Sequence, residues 1–311
     1  MRKFYYHAGK MPMLKNPYLI YGIVDRTKKI IDVPEMEVLT PIGNLCEAKP
    51  IDQLYYENVQ HILNSTDKKI CVTWSGGIDS TATLAEFLKW TPKDRIVVLL
   101  TDNSIKEYPI FYKNYIEKQL ECRQLSYYNH NTLRDSIEDG VIITSSIMDH
   151  LFGEVYIDMD INAVTKSTDE FLRPLSQDSK DFYQKIIDAC PKKIDNVKDL
   201  FWYMDYTLDY QYHQLYWLFD IEQLTINKNI FHFGDTPGWN DWSMSTPSEV
   251  KWSGTNHIDY KMLLKKHLEK FTHDIYYTEN KIKVSSWRAY RNILQKSKRA
   301  FFIDTEWVRG Y

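Results

Sequence analysis

Cysteine is scarce in this chain of 311 residues. The four cysteines, at positions 46, 71, 122 and 190, lie far apart, and no pair has the Cys-x-x-Cys spacing of a zinc-binding or redox motif. So few cysteines also argue against a disulfide-stapled secreted scaffold. The sequence therefore predicts a protein of a reducing compartment, and we expect it in the cytoplasm.

Long apolar runs are absent as well. No segment approaches the roughly 20 consecutive apolar residues of a membrane helix. Residues 1–7 carry charge, but they lack the apolar stretch and the small residues of a signal peptide. We therefore expect no association with a membrane.

Neither sign of charge dominates, with 39 Lys and Arg against 42 Asp and Glu and a net charge of −3. This balance argues against a protein that binds nucleic acid over its whole surface. Residues 261–299, however, contain 11 basic and 3 acidic residues. Such a stretch is typical of a solvated helix face, but it also fits a basic wall that faces a polyphosphate or a nucleic acid. Both interpretations stay open.

Segments broken by proline fill the first 65 residues. The stretches 18–24 and 29–33 have the apolar and β-branched residues of strands, and 53–63 has the pattern of a helix. We expect a small β-rich N-terminal extension over residues 1–65, too short and broken for a large domain of its own.

From residue 66 onward, short apolar runs alternate with amphipathic stretches. This alternation predicts an α/β fold with a doubly wound parallel sheet, in one unit over residues 66–311 that becomes helical from about residue 166. Glycine and proline recur at 231–254, where we expect an irregular binding loop. The expected strands are 69–74, 95–101, 124–128 and 141–144, and the expected helices are 80–90, 110–120, 199–218, 260–271 and 286–298.

The hexapeptide 75–80, Ser-Gly-Gly-Ile-Asp-Ser, lies between the first of these strands and the first helix. Gly76 and Gly77 can adopt backbone angles closed to other residues and let a ligand approach the main chain. Successive amides and the N-terminus of the following helix then bind an anion, and the hydroxyls of Ser75 and Ser80 donate to phosphate oxygens. We interpret the hexapeptide as a phosphate-binding loop.

Asp79 within this loop needs a different explanation, because a carboxylate repels a phosphate. It is suited to binding a Mg²⁺ ion that also contacts the phosphates. The loop is not a Walker A motif, since the Gly-Lys-Ser/Thr ending is missing, and it is not a GxGxxG dinucleotide loop.

The loop resembles the signature of the N-type ATP pyrophosphatases. This superfamily includes asparagine synthetase, GMP synthetase, NAD synthetase, argininosuccinate synthetase and tRNA-modifying enzymes. The resemblance covers about residues 66–155. It implies an adenine nucleotide alpha hydrolase-like fold of the HUP class, ATP as the bound nucleotide, and cleavage between the α- and β-phosphates.

A second segment, residues 144–153, is similar to the asparagine synthetase segment that ends in Asp-Glu-Leu-Phe-Gly, with Asp149 at the position of the aspartate. The resemblance implies that Asp79 and Asp149 share Mg²⁺. We expect adenine against the end of the second strand near Thr101, and also near Ser145.

The resemblance also implies a lysine late in the chain that neutralises phosphate charge in the transition state. Lys281 is the candidate for this role, and Lys283 comes next.

Two features depart from asparagine synthetase. Residue 2 is Arg2 rather than the cysteine nucleophile of a glutaminase domain, so we expect no glutamine hydrolysis. Ser146 stands where the family has a glutamate that helps to handle the nucleophile. An acceptor other than free aspartate is therefore compatible with the sequence.

The expected function is an ATP-dependent ligase that adenylates a carboxylate or carbonyl substrate and joins it to ammonia or an amine. We expect the acceptor over residues 235–242. Two alternatives stay open: an enzyme of the same superfamily that modifies a nucleobase in tRNA or DNA, and a non-catalytic regulator that binds ATP or AMP.

Overall fold

In the computed structural model, the described residues before position 51 contain two short strands and no helix. Strand β1 (Tyr6–His7) pairs antiparallel with β2 (Gly22–Ile23), and helix α1 (Ile51–Ser65) follows an irregular segment. The residues that the structure describes are 6–7, 22–31, 37–126, 133, 140–153, 163–211, 213–214, 219–220, 225–226, 229–253 and 259–281.

The strand predicted at 29–33 is wrong for its described residues, 29–31, which form a bend. The carboxylate of Asp25 accepts hydrogen bonds from the amides of Ile30 and Ile31, at 2.6 and 2.9 Å. A side-chain acceptor therefore takes the backbone groups that a strand would offer to its neighbour.

Five parallel strands form the central sheet. In chain order, the remaining strands are β3 (Lys69–Thr73), β4 (Ile96–Leu100), β5 (Glu121–Gln124), β6 (Gly140–Thr144), β7 (Phe219–Asp220), β8 (Thr225–Ile226) and β9 (Ile230–His232). The order in the sheet is β5-β4-β3-β6-β9, while β7 and β8 pair antiparallel with each other. Strands β4 and β6 are buried along their whole length, as expected of a parallel sheet covered on both faces. The predicted α/β fold with a doubly wound parallel sheet is confirmed.

Strand β3 lies in the middle of the sheet, and the order of the strands reverses there. Strands β4 and β5 extend it on one side, and β6 and β9 extend it on the other. The loops that leave β3 and β6 therefore diverge, and open α/β sheets bind their ligands in the crevice at such a point. Loop 75–80 follows β3 and segment 144–153 continues from the end of β6. Both predicted site segments thus lie at the same edge of the sheet.

Helices account for most of the rest of the described chain. They are α2 (Ile78–Trp90), α3 (Asp102–Glu107), α4 (Pro109–Phe111), α5 (Met148–Phe152), α6 (Thr168–Leu172), α7 (Gln177–Ala189), α8 (Val197–Met204), α9 (Pro237–Ser245), α10 (Ser248–Lys251), α11 (Met262–Thr272) and α12 (Ile275–Asn280). Helices α4 and α8 continue as π-helices, Tyr112–Ile116 and Asp205–Asp209. None of the helices in the described ranges has the length and apolar character that a membrane crossing requires.

The irregular loop predicted at 231–254 is wrong, because α9 and α10 occupy most of its described residues. Thr236 caps α9 by accepting a hydrogen bond from the amide of Trp239, and Pro237 is the first helical residue. Both residue types favour a helix start at these positions. The turn-forming residues therefore mark helix ends. The helix predicted at 286–298 lies outside the described residues.

The described N-terminal residues pack against the helical part of the chain. Arg26 is buried and donates hydrogen bonds to the carbonyl of Tyr206, at 2.8 Å, and to the side chain of Asn240, at 2.6 Å. The amide of Val24 donates to the carbonyl of Leu208 at 2.9 Å. This part of the N-terminal segment thus shares a core with the π-helix after α8 and with α9.

Candidate functional site

The glycine loop begins where β3 ends, and Gly76 has a φ of +78°. Glycine adopts this left-handed conformation without the steric penalty that a side chain brings. A Cβ atom at Gly76 would lie 2.4 Å from the carbonyl oxygen of Ser104 and 2.7 Å from Cβ of Glu107. Backbone conformation and close packing against α3 therefore both require glycine at this position.

Gly77 is not required by the fold in the same way. Its φ is −72°, which any residue adopts. Apart from the residues directly before and after Gly77, the nearest described atom to a Cβ at this position would be Ser75 Oγ, at 3.2 Å. The missing side chain leaves the approach to the loop amides open, as a phosphate-binding loop needs.

The N-terminus of α2 has no side-chain cap, although the helix is 13 residues long. The amides of its first turn are therefore not satisfied by a capping oxygen. The hydroxyls of Ser75 and Ser80 lie 3.0 Å apart, and Ser80 Oγ accepts a hydrogen bond from the Ser75 amide at 3.1 Å. The Gly77 amide donates to Ser75 Oγ at 3.2 Å. The loop thus combines the uncapped amides of the first turn of α2 with two hydroxyl groups that are hydrogen-bonded within the loop.

Lys261 joins the two predicted aspartates. Its ammonium nitrogen lies 2.6 Å from Oδ2 of Asp79 and also contacts Oδ1 of Asp149. Asp79 is in the first turn of α2, Asp149 is in the first turn of α5, and Lys261 precedes α11. Three separate elements therefore bring three charges together at the carboxyl edge of the sheet.

The three side chains differ in their access to solvent. That of Lys261 is fully buried, that of Asp79 is 18% exposed and that of Asp149 is 40% exposed. The cluster is therefore open on the side of Asp149, where a ligand can reach it.

Burial is the largest influence on the cluster's protonation. Burial and the nearby negative charge of Asp149 raise the pKa of Asp79 to about 7, although Lys261 acts in the opposite direction. Burial also opposes the charge on Lys261, but the carboxylates of Asp149 and Asp79 outweigh it and raise the pKa of this ammonium. Perturbed acids in a crevice are typical of functional sites.

One oxygen of Asp79 suits a metal. Oδ1 is buried and has no hydrogen-bond partner among the described residues. The described part of the chain holds no group of three or more metal-binding side chains. Mg²⁺ does not need one, since it is often bound by one or two carboxylates together with substrate phosphates and water. Asp79 and Asp149 therefore fit a magnesium that arrives with a nucleotide.

Sequence reasoning missed Lys261. The residue belongs to the basic stretch 261–299 and stands at the start of a predicted helix. A lysine whose side chain is fully buried between two carboxylates looks, in sequence, like its exposed neighbour Lys266. The only available signal was the basic stretch itself, for which a wall facing polyphosphate was one of two interpretations.

Lys281, the predicted phosphate lysine, lies elsewhere in the crevice. Its ammonium pairs with Oε1 of Glu107, and Glu107 packs against Gly76. Lys281 is therefore next to the glycine loop, through Glu107, while Lys261 contacts the aspartates. Lys283 lies outside the described residues.

Thr101 and Ser145 follow β4 and β6, but their hydroxyls have partners within the protein. Thr101 Oγ1 caps α3 by accepting from the Ser104 amide, and Ser145 Oγ donates to Thr83 Oγ1 at 2.8 Å. Thr101 also lines an open cavity of about 530 Å³ at the ends of β4 and β5, bordered by Asp102, Lys106 and Gln124 among others.

The expected acceptor segment 235–242 is largely helical, in α9. Asp235 accepts hydrogen bonds from the hydroxyl of Tyr210 and from the side-chain Nε2 of Gln214. The loop character on which that expectation depended is therefore absent. Ser146, in place of the family's glutamate, has a buried hydroxyl without a hydrogen-bond partner in the described chain.

Comparison with known proteins does not assign the chain to a family. No protein-family model matches the chain, and no curated protein matches it. The geometry of the site therefore carries the functional interpretation.

Proposed function

We propose that the protein is an ATP-dependent ligase that forms AMP and pyrophosphate and joins a carboxylate or carbonyl substrate to a nitrogen nucleophile. It would resemble an asparagine synthetase that does not hydrolyse glutamine. The contact of Lys261 with both Asp79 and Asp149 carries this proposal. It gathers one cation and two potential metal ligands beside the uncapped amides of α2, as the binding of a Mg²⁺-triphosphate requires.

The reaction would take two steps. An oxygen of the acceptor attacks the α-phosphate of ATP, the bond to the β-phosphate breaks, and pyrophosphate leaves. The nitrogen nucleophile then displaces AMP from the adenylate. Negative charge builds on pyrophosphate in the first step, and the loop amides and the Lys261 ammonium would stabilise it. Asp79 and Asp149 would hold Mg²⁺, which supplies further positive charge to the phosphate oxygens when bound.

A pyrophosphate-release screen tests the proposal. The protein, Mg²⁺ and labelled ATP are incubated in turn with amino acids, nucleotides, tRNA and DNA, with and without ammonia. We expect AMP and pyrophosphate in equal amounts with one class of acceptor, and a release from Asp79→Asn that is lower by at least about a hundredfold. Release of ADP and phosphate, or equal release by the variant, would contradict the proposal.

The nucleobase-modifying alternative draws on the basic stretch 261–299. In its described part, Lys261 and Lys265 are buried and Lys281 pairs with Glu107. These three lysines therefore do not contribute to an open basic surface. Binding of tRNA and DNA measured against salt concentration separates the two functions, because phosphate contacts produce a steep loss of affinity with salt.

The non-catalytic alternative draws on Ser146. A regulator on this fold would bind ATP or AMP without consuming it. Isotope-labelled ATP distinguishes the two, because a ligase releases labelled pyrophosphate once its acceptor is present, whereas a regulator returns the nucleotide intact with every acceptor.

A further inference from the structure

The side chain of an acidic residue, Glu107, packs directly against the glycine loop through its aliphatic part. Cβ and Cγ of Glu107 would lie 2.7 and 3.1 Å from a Cβ atom at Gly76. A negative charge at this place opposes the binding of a triphosphate, because like charges repel strongly at short range. Glu107 is therefore compatible with ATP binding only if a cation balances it.

Lys281 is that cation in the structure. The two side chains form an ion pair and are 13% and 20% exposed. The Lys281 amide donates to the carbonyl of Tyr277 at 2.9 Å, and its own carbonyl accepts from Lys265 Nζ at 2.7 Å. The main chain at Lys281 is thus held on both sides by hydrogen bonds.

The helix before Lys281 is fixed against the residues that follow Glu107. The hydroxyl of Tyr108 donates to Asp274 at 2.8 Å, and the rings of Tyr108 and Tyr277 stack with centroids 4.0 Å apart. The Tyr277 hydroxyl is buried without a hydrogen-bond partner among the described residues. Burial raises the pKa of Tyr277, and the charges of Tyr108 and Asp79 add to this effect. Helix α12 therefore brings Lys281 to the side of the loop where Asp79 lies.

We propose that Glu107 is a positioning residue for Lys281. It holds the ammonium beside the glycine loop in the nucleotide-free protein and yields it to a phosphate oxygen when Mg²⁺-ATP binds. The inference rests on the proposed function, since it assigns a partner exchange to the same nucleotide site. Only hydrogen bonds and ion pairs change in this exchange.

The protonation of Lys281 provides a readout that a purely structural contact would not affect. Burial lowers the pKa of Lys281 to about 8. Glu107 from α3 favours the charged ammonium and Lys265 from α11 disfavours it, while the ring of Tyr277 from α12 lies 5.9 Å away. Removing the charge of Glu107 therefore moves the titration of Lys281 to lower pH.

The experiment measures the affinity for Mg²⁺-ATP from pH 6 to pH 9 for the wild type and Glu107→Gln. Near pH 6 we expect the variant to bind several-fold more tightly, because a charge that repels phosphate is gone and Lys281 is still protonated. We expect its loss of affinity at alkaline pH to begin about one pH unit lower. Glu107→Asp keeps the carboxylate and should restore the wild-type alkaline limb. The exposed Glu117→Gln makes the same change of net charge and should behave as wild type.

The outcomes distinguish a positioning role of Glu107 from a purely structural contact. Weaker binding of Glu107→Gln at every pH with an unshifted alkaline limb, or a lower melting temperature that Glu107→Asp shares, would show a structural contact and overturn the inference while ATP binding stands. If the wild type binds no Mg²⁺-ATP, both the inference and the proposed function fail.

Discussion

Two charge clusters lie along the same pair of helices, α2 and α11, and each combines buried side chains with one exposed carboxylate. They differ in how completely their charges are matched. The site cluster consists of Asp79, Lys261 and Asp149. The interior cluster consists of His267, Asp52 and Glu86, together with the donors that surround Glu86. Each cluster connects α2 to the N-terminal or middle part of α11.

In the interior cluster, the carboxylates have several donors. His267 Nδ1 lies 2.5 Å from Asp52, and its Nε2 lies 3.2 Å from Glu86 without the geometry of a hydrogen bond. Glu86 also accepts from Lys89 Nζ and Trp90 Nε1, both at 2.7 Å. Burial alone would raise the pKa of Glu86, but these donors outweigh it and lower the pKa. The interior cluster thus favours ionised acids and stabilises the fold.

In the site cluster, one ammonium serves two carboxylates. One oxygen of Asp79 has no partner in the described chain, and the pKa of this acid is raised to about 7. Among the described residues, the folded chain therefore provides no hydrogen-bond donor for this oxygen of Asp79. This difference favours the site cluster over the interior cluster as the place where a ligand would bind.

The largest expected effect comes from Asp79→Asn. We expect pyrophosphate release to fall at least about a hundredfold, because a metal-binding charge is lost at the leaving group. The melting temperature should stay unchanged or rise, because Lys261 and Asp149 remain as a matched pair. Activity assays and thermal unfolding check both expectations, with the exposed Asp67→Asn as control. A large drop in melting temperature would mean that Asp79 stabilises the fold, as the acids of the interior cluster do.

Glu86→Gln tests the interior cluster, and it should lower stability without lowering the affinity for Mg²⁺-ATP. The free energy of unfolding should fall by about 2–4 kcal/mol, because the buried His267 ring and the Lys89 ammonium lose a charged partner. Mg²⁺-ATP affinity per folded molecule should stay as in the wild type. Glu57→Gln, which removes an ion pair between side chains 47% and 40% exposed, is the matched control, with a loss below about 1 kcal/mol. Similar losses in both variants would disprove the role assigned to burial.

The pH dependence of stability should have opposite signs for the two acids. The folded-state pKa of Glu86 is below its ordinary value of 4.5, so its contribution is present above that pH and is lost as the pH falls through the folded pKa. The pKa of Asp79 is raised from 3.8 to about 7, so its contribution is present below pH 3.8 and is lost as the pH rises to about 7. Urea unfolding between pH 3 and pH 8 should show the acid-side loss diminish in Glu86→Gln and the neutral-side loss diminish in Asp79→Asn. Unchanged slopes in either variant would rule out its acid as the cause.

The smallest expected effect comes from Gly77→Ala, which fills the approach to the site cluster. Since φ at Gly77 is ordinary and no backbone atom blocks a Cβ there, stability should change by less than about 1 kcal/mol. Mg²⁺-ATP affinity should fall about tenfold, because the methyl group obstructs the loop amides. Gly76→Ala is the contrasting variant, and it should unfold at a clearly lower temperature. Equal ATP affinity in Gly77→Ala and wild type would show that phosphate does not approach at this point.

The loop and the elements beside it could be predicted because their signal is local. An apolar strand, two glycines and an amphipathic helix follow one another within residues 69–90, and the structure has β3, the loop and α2 there. The parallel sheet followed from the alternation of strands and helices. Segment 231–254 was misjudged because proline and glycine begin helices as well as interrupt them.

The partners of the site charges could not be predicted. Lys261 is 182 residues from Asp79 and 112 from Asp149, and Lys281 is 174 residues from Glu107. Five lysines lie between 261 and 281, and their local sequence does not show which of them turn inward. That choice depends on how α11 and α12 pack against α2 and α3.

The sequence by itself determined the fold class, the glycine loop and the two aspartates, because backbone preferences and apolar periodicity act over a few residues. Only the tertiary structure decided that Lys261 joins the aspartates and that Glu107 holds Lys281. An ion pair between distant residues forms where packing brings the two charges together, and packing is a property of the whole chain.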